Sequence, residues 1–116
     1  MIDDRLPNAA AARVDTRKLG EYLLNPAHPD NGGKAAFFVA LGFVRSDVEP
    51  LRSALVRLAA EGTLTRRIVS VHGTKFVVDG VLRSPSGSEA VVRTVWIVDT
   101  GGIAPRLVTA YPREGK

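Results

Sequence analysis

The feature that most constrains this chain is a change in the spacing of its apolar residues at Gly62. Before this glycine, apolar side chains recur at three- and four-residue steps, as in Val48, Leu51, Leu55 and Leu58, which is the spacing of one helix face. After it, segments rich in Val, Ile, Thr and aromatic residues follow the two-residue period of β-strands. The pattern predicts an α+β fold, with N-terminal helices packed on a sheet.

Three helices are expected in the first half of the chain. The first runs over residues 16–24, with its N-cap at Asp15 or the following threonine. The second covers residues 33–41 and is apolar all round, so it should be buried. The third begins with Ser46 as N-cap, and Glu49 three residues later completes a capping box.

Four strands are expected in the second half, separated by short turns rich in glycine, serine and proline. Such turns join neighbouring antiparallel strands, so the pattern predicts a four-stranded antiparallel β-meander. A chain of 116 residues lies within the usual size of one domain, so residues 1–116 should form a single domain with an ordered core over 6–112. The predicted strands are 65–71, 74–82, 90–98 and 103–110.

The composition excludes several classes of site. The chain has no cysteine, which rules out a disulfide framework, a thiol nucleophile and thiolate zinc sites. It also lacks a P-loop, a dinucleotide-binding glycine motif, a zincin helix and a nucleophile elbow. Its two histidines have no carboxylate at ligand spacing. We therefore expect neither a metal nor another cofactor.

The charge balance favours a polyanionic or acidic partner. Sixteen Lys and Arg against twelve Asp and Glu give a net charge of +4 and a pI near 10.0. For any single arginine of the sheet half, ordinary solubilising charge is the simpler interpretation. The N-terminus carries two acids where a secretory peptide carries positive charge, and no apolar run is long enough to span a bilayer. We expect a cytoplasmic protein without membrane contact.

The segment from His28 to Lys34 is the strongest candidate for chemistry. Lys34 occupies the first turn of a predicted helix, where the positive end of the helix dipole disfavours a cation. Positions that break a local rule are enriched at functional sites. The loop can bring His28 close to Lys34 and the free N–H groups of the helix, forming an anion site. The alternative is an exposed loop histidine and a lysine lying over the Phe37 and Phe38 side chains.

The sheet half offers further candidates. His72 falls in a predicted hairpin turn and Lys75 at the start of the next strand, where a turn residue and a surface charge are the favoured interpretations. Trp96 shares a strand face with Thr94 and is expected in the core. In the last strand, strict alternation places Leu107, Thr109 and Tyr111 on one face, and Arg106, Val108 and Ala110 on the other. The first of these faces sets a hydroxyl and a phenol side by side.

Six segments of the chain together resemble a known family. They are Leu-Pro-Asn near the start, Tyr-Leu-Leu-Asn-Pro-x-His-Pro, Lys-Ala-x-Phe-Phe, Gly-Thr-Lys-Phe-Val-Val-Asp-Gly, Arg-Thr-Val-Trp-Ile-Val and Pro-Arg-Leu-Val-Thr-Ala-Tyr-Pro. The set, covering residues 6–112, resembles an uncharacterised bacterial domain family. Members of that family occur as short stand-alone chains and at the C-termini of polymorphic toxins. The resemblance implies a family and no particular activity.

A more distant similarity is to the metal-independent ribonuclease-toxin fold of barnase, EndoU, colicins D and E5 and RelE. That fold packs N-terminal helices against a roughly four-stranded antiparallel sheet, and the order of elements here agrees. The ending at residues 107–112 is similar to the last strand of EndoU-like toxins, where a hydroxyl residue and a tyrosine line the site. EndoU enzymes use two histidines and a lysine, and only His28 and Lys34 match here. A contribution from His72 stays open.

The resemblance and the residues together lead to the hypothesis of a toxin-type RNA endonuclease that cleaves by internal transesterification. A base removes the ribose 2′-OH proton and cations stabilise the phosphorane-like transition state, which suits histidine and lysine. We assign His28 as acid or base, Lys34 as phosphate stabiliser, and Thr109 and Tyr111 as supporting or leaving-group contacts. RNA and an acidic antitoxin or immunity protein are the expected partners. Contact with the RNA backbone is assigned to Arg93, Arg106 and Lys75.

Two other functions are consistent with the same residues. One is a non-enzymatic protein-interaction or immunity-type module, whose basic sheet half docks an acidic partner. The other is a sensor domain that holds a small molecule between helices and sheet. The ribonuclease hypothesis differs from both in requiring that His28, Lys34 and Tyr111 converge in an accessible cleft.

Overall fold

The computed structural model of the protein describes residues 5–25, 27 and 34–113. Three helices precede a four-stranded antiparallel sheet, which confirms the predicted α+β architecture. Among the described residues, no helix is long and apolar enough to cross a membrane. The elements are α1 (Thr16–Lys18), α2 (Lys34–Leu41), α3 (Glu49–Glu61), β1 (Thr63–Ser70), β2 (Gly73–Arg83), β3 (Glu89–Asp99) and β4 (Arg106–Pro112).

The sheet is the predicted meander. Its strand order is β1-β2-β3-β4, and each neighbouring pair is antiparallel. The last strand begins at Arg106, three residues later than predicted, because residues 100–105 form a turn followed by an irregular segment. Gly101 adopts a left-handed φ of 83° in this turn, and Pro105 has no N–H to donate to a strand ladder.

The core lies between the helices and one face of the sheet. Trp96 is fully buried there, as predicted. Its indole N–H donates to Thr94 Oγ1 at 2.7 Å, and that hydroxyl donates to the Val78 carbonyl at 2.8 Å, so the buried polar groups are satisfied. The other large contributors are Leu19, Leu23, Phe38, Leu51, Leu55, Leu58, Phe76, Leu82, Val92 and Leu107.

The first helical segment is irregular. Its predicted N-cap is confirmed, because Asp15 Oδ1 accepts a hydrogen bond from Arg17 N at 2.9 Å. Regular α-helix ends at Lys18, however, and a π-helical turn over Leu19–Leu23 follows. A π-turn rotates later side chains relative to an α-helix of the same length.

Two predictions about the other helices are wrong. The α2 helix is not buried all round, because only one side meets the core, and Val39 on the opposite side is 51% exposed. Ser46 does not cap α3: the N-cap is Val48, without a side-chain hydrogen bond. Pro50 stands in the first turn of α3, where its fixed φ favours a helix start, and this later start displaces the predicted capping box.

The last strand contains a β-bulge. Val95 of β3 pairs with Thr109, whereas the next residue, Trp96, pairs with Leu107. Two adjacent residues of β3 therefore face positions two apart on β4. Val108 is the extra residue, and such an insertion changes which side chains point to each face of a strand.

The bulge overturns the predicted faces of the last strand. Leu107 and Ala110 are both buried in the core although they are three residues apart. Thr109 and Tyr111 are half-buried and lie on the opposite face, so Leu107 does not share a face with them. Arg106 is exposed and does not share a face with Ala110 either. A prediction from strict two-residue alternation does not allow for an inserted residue.

The free edge of β4 is partly covered by the N-terminal segment. Arg13 forms a parallel bridge to Arg106. Its backbone N–H donates to the Pro105 carbonyl at 2.8 Å, and its carbonyl accepts from Leu107 N at 3.0 Å. The α2 helix contacts the same strand. This edge is therefore where N-terminal elements meet the sheet.

Candidate functional site

Lys34, the first residue of α2, has its ammonium group held by side chains from distant parts of the chain. Its Nζ donates to Tyr22 Oη at 2.6 Å and to Thr109 Oγ1 at 3.0 Å. It also lies 4.9 Å from the centroid of the Tyr22 ring and 5.8 Å from that of Tyr111. We call Tyr22, Lys34, Thr109 and Tyr111 the lysine cluster.

The contacts of the Lys34 ammonium differ from those that the alternative interpretation of Lys34 predicts. The ammonium is directed toward two hydroxyl oxygens and two aromatic rings, not over the Phe37 and Phe38 side chains. Those two rings instead pack edge to face on each other, with centroids 5.0 Å apart. Hydroxyl acceptors and ring faces both stabilise a cation, which offsets its unfavourable position at the helix start.

The bonding of Lys34 leaves capacity for a ligand. An ammonium group has three N–H donors, and two of them are used by Tyr22 and Thr109. Lys34 is half-buried, and none of the carboxylates in the described part of the chain forms a salt bridge with it. Solvent screens a partly buried cation less than an exposed one, so the Lys34 ammonium can attract an incoming anion.

A second charged group lies beside Tyr111 on the sheet. Asp79, Arg93 and Tyr111 stand directly opposite one another on β2, β3 and β4. The Arg93 guanidinium donates to both oxygens of Asp79 at 2.8 Å, and Arg113 Nε lies 2.8 Å from Asp79 Oδ2. The Asp79 side chain is only 11% exposed. With two guanidinium groups on one carboxylate, Asp79, Arg93 and Arg113 together carry a net positive charge.

The pairing with Asp79 also fixes Arg93 next to the lysine cluster. The hydrogen bond from Arg93 to Asp79 is the main cause that raises the pKa of Arg93, and a smaller interaction with the Tyr111 side chain raises this pKa further. A bidentate guanidinium–carboxylate pair has a defined geometry. Tyr111 therefore stands between two cations, Lys34 and Arg93.

The other predicted site residues lie elsewhere. Arg106 donates to both oxygens of Asp99 at 2.9 Å, at the opposite end of β4 from Tyr111. Lys75 is exposed on β2. His72 is exposed in the β1–β2 turn, as expected for a turn residue. His28 lies outside the described residues, so its predicted position beside Lys34 stays a prediction.

Three residues of this region are not among the predicted site residues: Tyr22, Asp79 and Arg113. Tyr22 falls within the predicted first helix, residues 16–24, where nothing in the sequence marks it as a partner of Lys34. Asp79 had a visible signal, an acid in the middle of an otherwise apolar strand segment. Arg113 had none, because its contact with Asp79 depends on the pairing of β2, β3 and β4.

Comparison with known proteins gives a family match and a similar solved structure. Residues 5–114 match the model of a family described as a domain of unknown function, DUF6883. A search of curated proteins gave no match. Among solved structures, one chain of a contact-dependent growth inhibition toxin–immunity protein complex from Klebsiella pneumoniae 342 is similar, with a TM-score of 0.70 and 19% identity. The similarity covers 92% of this chain and 97% of that chain, and at this identity it concerns the fold alone.

Proposed function

We propose a function on one premise: this chain belongs to the DUF6883 family of domains of unknown function. We infer that it is a metal-independent RNA endonuclease of the bacterial toxin type. The observation that carries this proposal is the half-buried Lys34 ammonium, held by neutral hydroxyl groups and without a carboxylate partner among the described residues. The fold similarity to a chain of a toxin–immunity complex supports the toxin part of the proposal.

The proposed reaction is an internal transesterification. A general base takes the proton of a ribose 2′-OH, and the 2′ oxygen attacks the adjacent phosphorus. The bond from phosphorus to the 5′ oxygen of the next nucleotide breaks, and that oxygen takes a proton from a general acid. The products are a 2′,3′-cyclic phosphate and a free 5′-OH. Negative charge accumulates on the non-bridging oxygens, where a fixed cation stabilises the transition state.

The lysine cluster and His28 are assigned the groups that these steps require. The third N–H of Lys34 is assigned to a non-bridging phosphate oxygen. Thr109 and Tyr22 hold that ammonium in place and act as positioning residues. Tyr111 lies between Lys34 and Arg93, so its phenol is assigned to the leaving oxygen. His28 is assigned as the acid or base upstream of α2.

Contacts with the RNA backbone follow from the cations near this cluster. Arg93 is next to Tyr111 and is kept charged by Asp79. Arg106 lies farther along β4, and Lys75 farther along β2, so they are assigned to phosphates more distant from the cleaved bond. An acidic immunity or antitoxin protein is proposed as the partner that blocks this basic region.

The decisive experiment compares Lys34→Ala with Lys75→Ala in the purified protein. Both variants remove one lysine, but only Lys34 belongs to the lysine cluster. We expect Lys34→Ala to lower cleavage of total bacterial RNA by roughly 100-fold or more, as for loss of one oxyanion-stabilising donor. Lys75→Ala loses only a distant phosphate contact, so it should lower cleavage far less, through a raised KM. Cleavage is scored as cyclic-phosphate ends, in the presence of EDTA.

The histidine assignment has its own test in the same assay. His28→Ala should abolish cleavage, whereas His72→Ala should not. Loss of activity in the His72 variant together with full activity in the His28 variant would show that the histidine is wrongly assigned. A folded wild-type protein that cleaves no RNA, and whose expression without its partner does not arrest growth, would contradict the ribonuclease proposal and favour an interaction module.

A further inference from the structure

A cleft lies between the N-terminal segment and the start of β4. Its volume is about 420 Å³, within the usual range of ligand pockets. Its floor is apolar, because Val14 and Leu107 are buried core residues. We call it the basic cleft, and it is lined by Arg13, Val14, Asp15, Lys18, Arg106 and Leu107.

The cations of the basic cleft outnumber the carboxylates beside them, because Arg13, Lys18 and Arg106 lie near Asp15 and Asp99. In the described part of the chain, no carboxylate forms a salt bridge with Arg13 or Lys18. The single acid of the lining, Asp15, uses its side chain to cap α1. Arg106 is paired with Asp99, but both side chains are about half exposed, and exposed pairs of this kind contribute little. Phosphate can therefore compete for all three cations.

A second cleft of the molecule provides a contrast. It has a volume of about 360 Å³ and lies between α3 and the end of β2. Its two guanidinium groups are already paired, Arg57 with Glu61 and Arg83 with Glu89. The two clefts are similar in size, but only the basic cleft carries positive charge in excess of the acids beside it.

The basic cleft adjoins the lysine cluster through Tyr22. Lys18 Nζ lies 5.8 Å from the centroid of the Tyr22 ring, and Lys34 Nζ lies 4.9 Å from the same centroid. Arg106 and Thr109 belong to the same short strand. One oligonucleotide strand can therefore contact the basic cleft and the lysine cluster together.

We propose that the basic cleft binds a nucleotide next to the cleaved phosphate of single-stranded RNA. Its cations hold the phosphate, and the sugar and base lie against the apolar floor of Val14 and Leu107. This inference rests on the proposed function for the identity of the ligand. A cleft of this size admits one nucleotide and not a duplex. The lining of the cleft has no aromatic side chain on which a base could stack. Asp15 is its one side chain that accepts hydrogen bonds, so we expect little discrimination between bases.

Binding of an uncleavable RNA tests the proposal independently of catalysis. The probe is a fluorescent 2′-O-methyl RNA of mixed sequence, titrated with the full chain and followed by anisotropy. The double variant Arg13→Gln/Lys18→Gln should bind at least roughly tenfold more weakly than wild type. The slope of log affinity against log salt should fall by about one for each lost phosphate contact. The control Arg57→Gln/Arg83→Gln, in the charge-balanced cleft, should bind like wild type.

The side chains chosen are suited to this comparison. Arg13 holds the β4 edge through its backbone, so its side chain can change without breaking that bridge. Equal melting temperatures of wild type and both double variants establish that folding is intact. If either substitution in the basic cleft unfolds the chain, Arg13→Lys with Lys18→Arg keeps the charge and should restore binding.

The outcomes separate this proposal from the ribonuclease proposal. If the basic-cleft variant binds RNA with the affinity and salt slope of the wild type, the proposal that this cleft binds a nucleotide is wrong. That result would not contradict cleavage of RNA by the wild type. Weakened binding in a protein whose wild type cleaves no RNA would support the cleft and contradict the ribonuclease. If both hold, the basic-cleft variant should cleave long RNA with a raised KM.

Discussion

The two edges of the sheet differ in almost every respect. The β4 edge is bridged by Arg13, contacted by α2, and carries Thr109 and Tyr111 toward the Lys34 ammonium. The β1 edge is exposed along nearly its whole length, and just beyond it Val71 is 87% exposed. Within the described residues, β1 pairs with β2 alone.

The difference also concerns how the positively charged side chains near each edge are held. The cations near β1, Arg66, Arg67 and Lys75, form no salt bridge among the described residues, and they stand on an open surface. Those near the end of β4 are held by hydrogen bonds from several elements. A binding or catalytic site requires side chains in fixed geometry, so the β4 edge is the better candidate of the two.

The largest expected effect is a difference between the two edges in the unfolding free energy lost when one side chain is truncated. Leu107→Ala in β4 should cost about 2–5 kcal/mol of unfolding free energy, because Leu107 is 2% exposed and its loss leaves a cavity. Val69→Ala in β1 should change it by less than about 0.5 kcal/mol, since Val69 is 73% exposed. Urea denaturation measures both. Similar costs at the two positions would show that β1 is also packed.

A smaller effect is expected at the charged group beside Tyr111. Asp79→Ala removes the carboxylate shared by Arg93 and Arg113, and should cost about 1.5–3 kcal/mol for hydrogen bonds to a charged group. Glu89→Ala is the matched control, because its pair with Arg83 is exposed and should contribute at most about 1 kcal/mol. Thermal unfolding at neutral pH compares them, and equal losses would contradict a structural role for the Asp79 group.

The third prediction concerns association through β1. Charged residues and a bulge discourage an edge strand from pairing with a second chain, and β1 has Arg66, Arg67 and a register shift between Leu64 and Arg66. Arg66→Val should leave stability within about 0.5 kcal/mol but promote self-association. Light scattering at increasing concentration detects this, with Arg57→Val on α3 as control. If the Arg66→Val variant associates no more than wild type, Arg66 does not protect the β1 edge from association.

The smallest effect depends on pH at the start of β4. The hydrogen bond from Arg106 is the main cause that lowers the pKa of Asp99 below its usual 3.8. A carboxyl group with a lowered folded-state pKa stabilises the fold above its unfolded-state pKa, and this contribution is lost as pH falls through the folded value. Asp99→Asn should therefore be less stable than wild type at pH 7, and the difference should shrink below about pH 3.8. Urea denaturation at pH 7 and below pH 3.8 measures the difference in unfolding free energy between Asp99→Asn and wild type. An equal difference at the two pH values would show that the charge of Asp99 is not its cause.

Periodicity was sufficient to predict the meander, because its four strands are joined by short local turns. The bulge at Val108 was not predictable, since one inserted residue breaks alternation without a compositional sign. Lys34 was identified because it violates a local preference at a helix start. Its partner Tyr22 was missed, because their contact depends on a π-turn and on the packing of the first helical segment against α2. Local rules can mark a residue, but only the folded chain selects its neighbours.

Trp96 has a practical consequence for spectroscopy. It is the single tryptophan of the chain, it is fully buried, and its indole N–H is bonded to Thr94. Its fluorescence should therefore be emitted at short wavelength in the native protein and shift to the red when water reaches the ring. The indole lies on the core face of β3, whereas Thr109 and Tyr111 lie on the other face of the sheet. The emission maximum is thus an intrinsic optical signal of folding that ligands on the outer face leave unchanged.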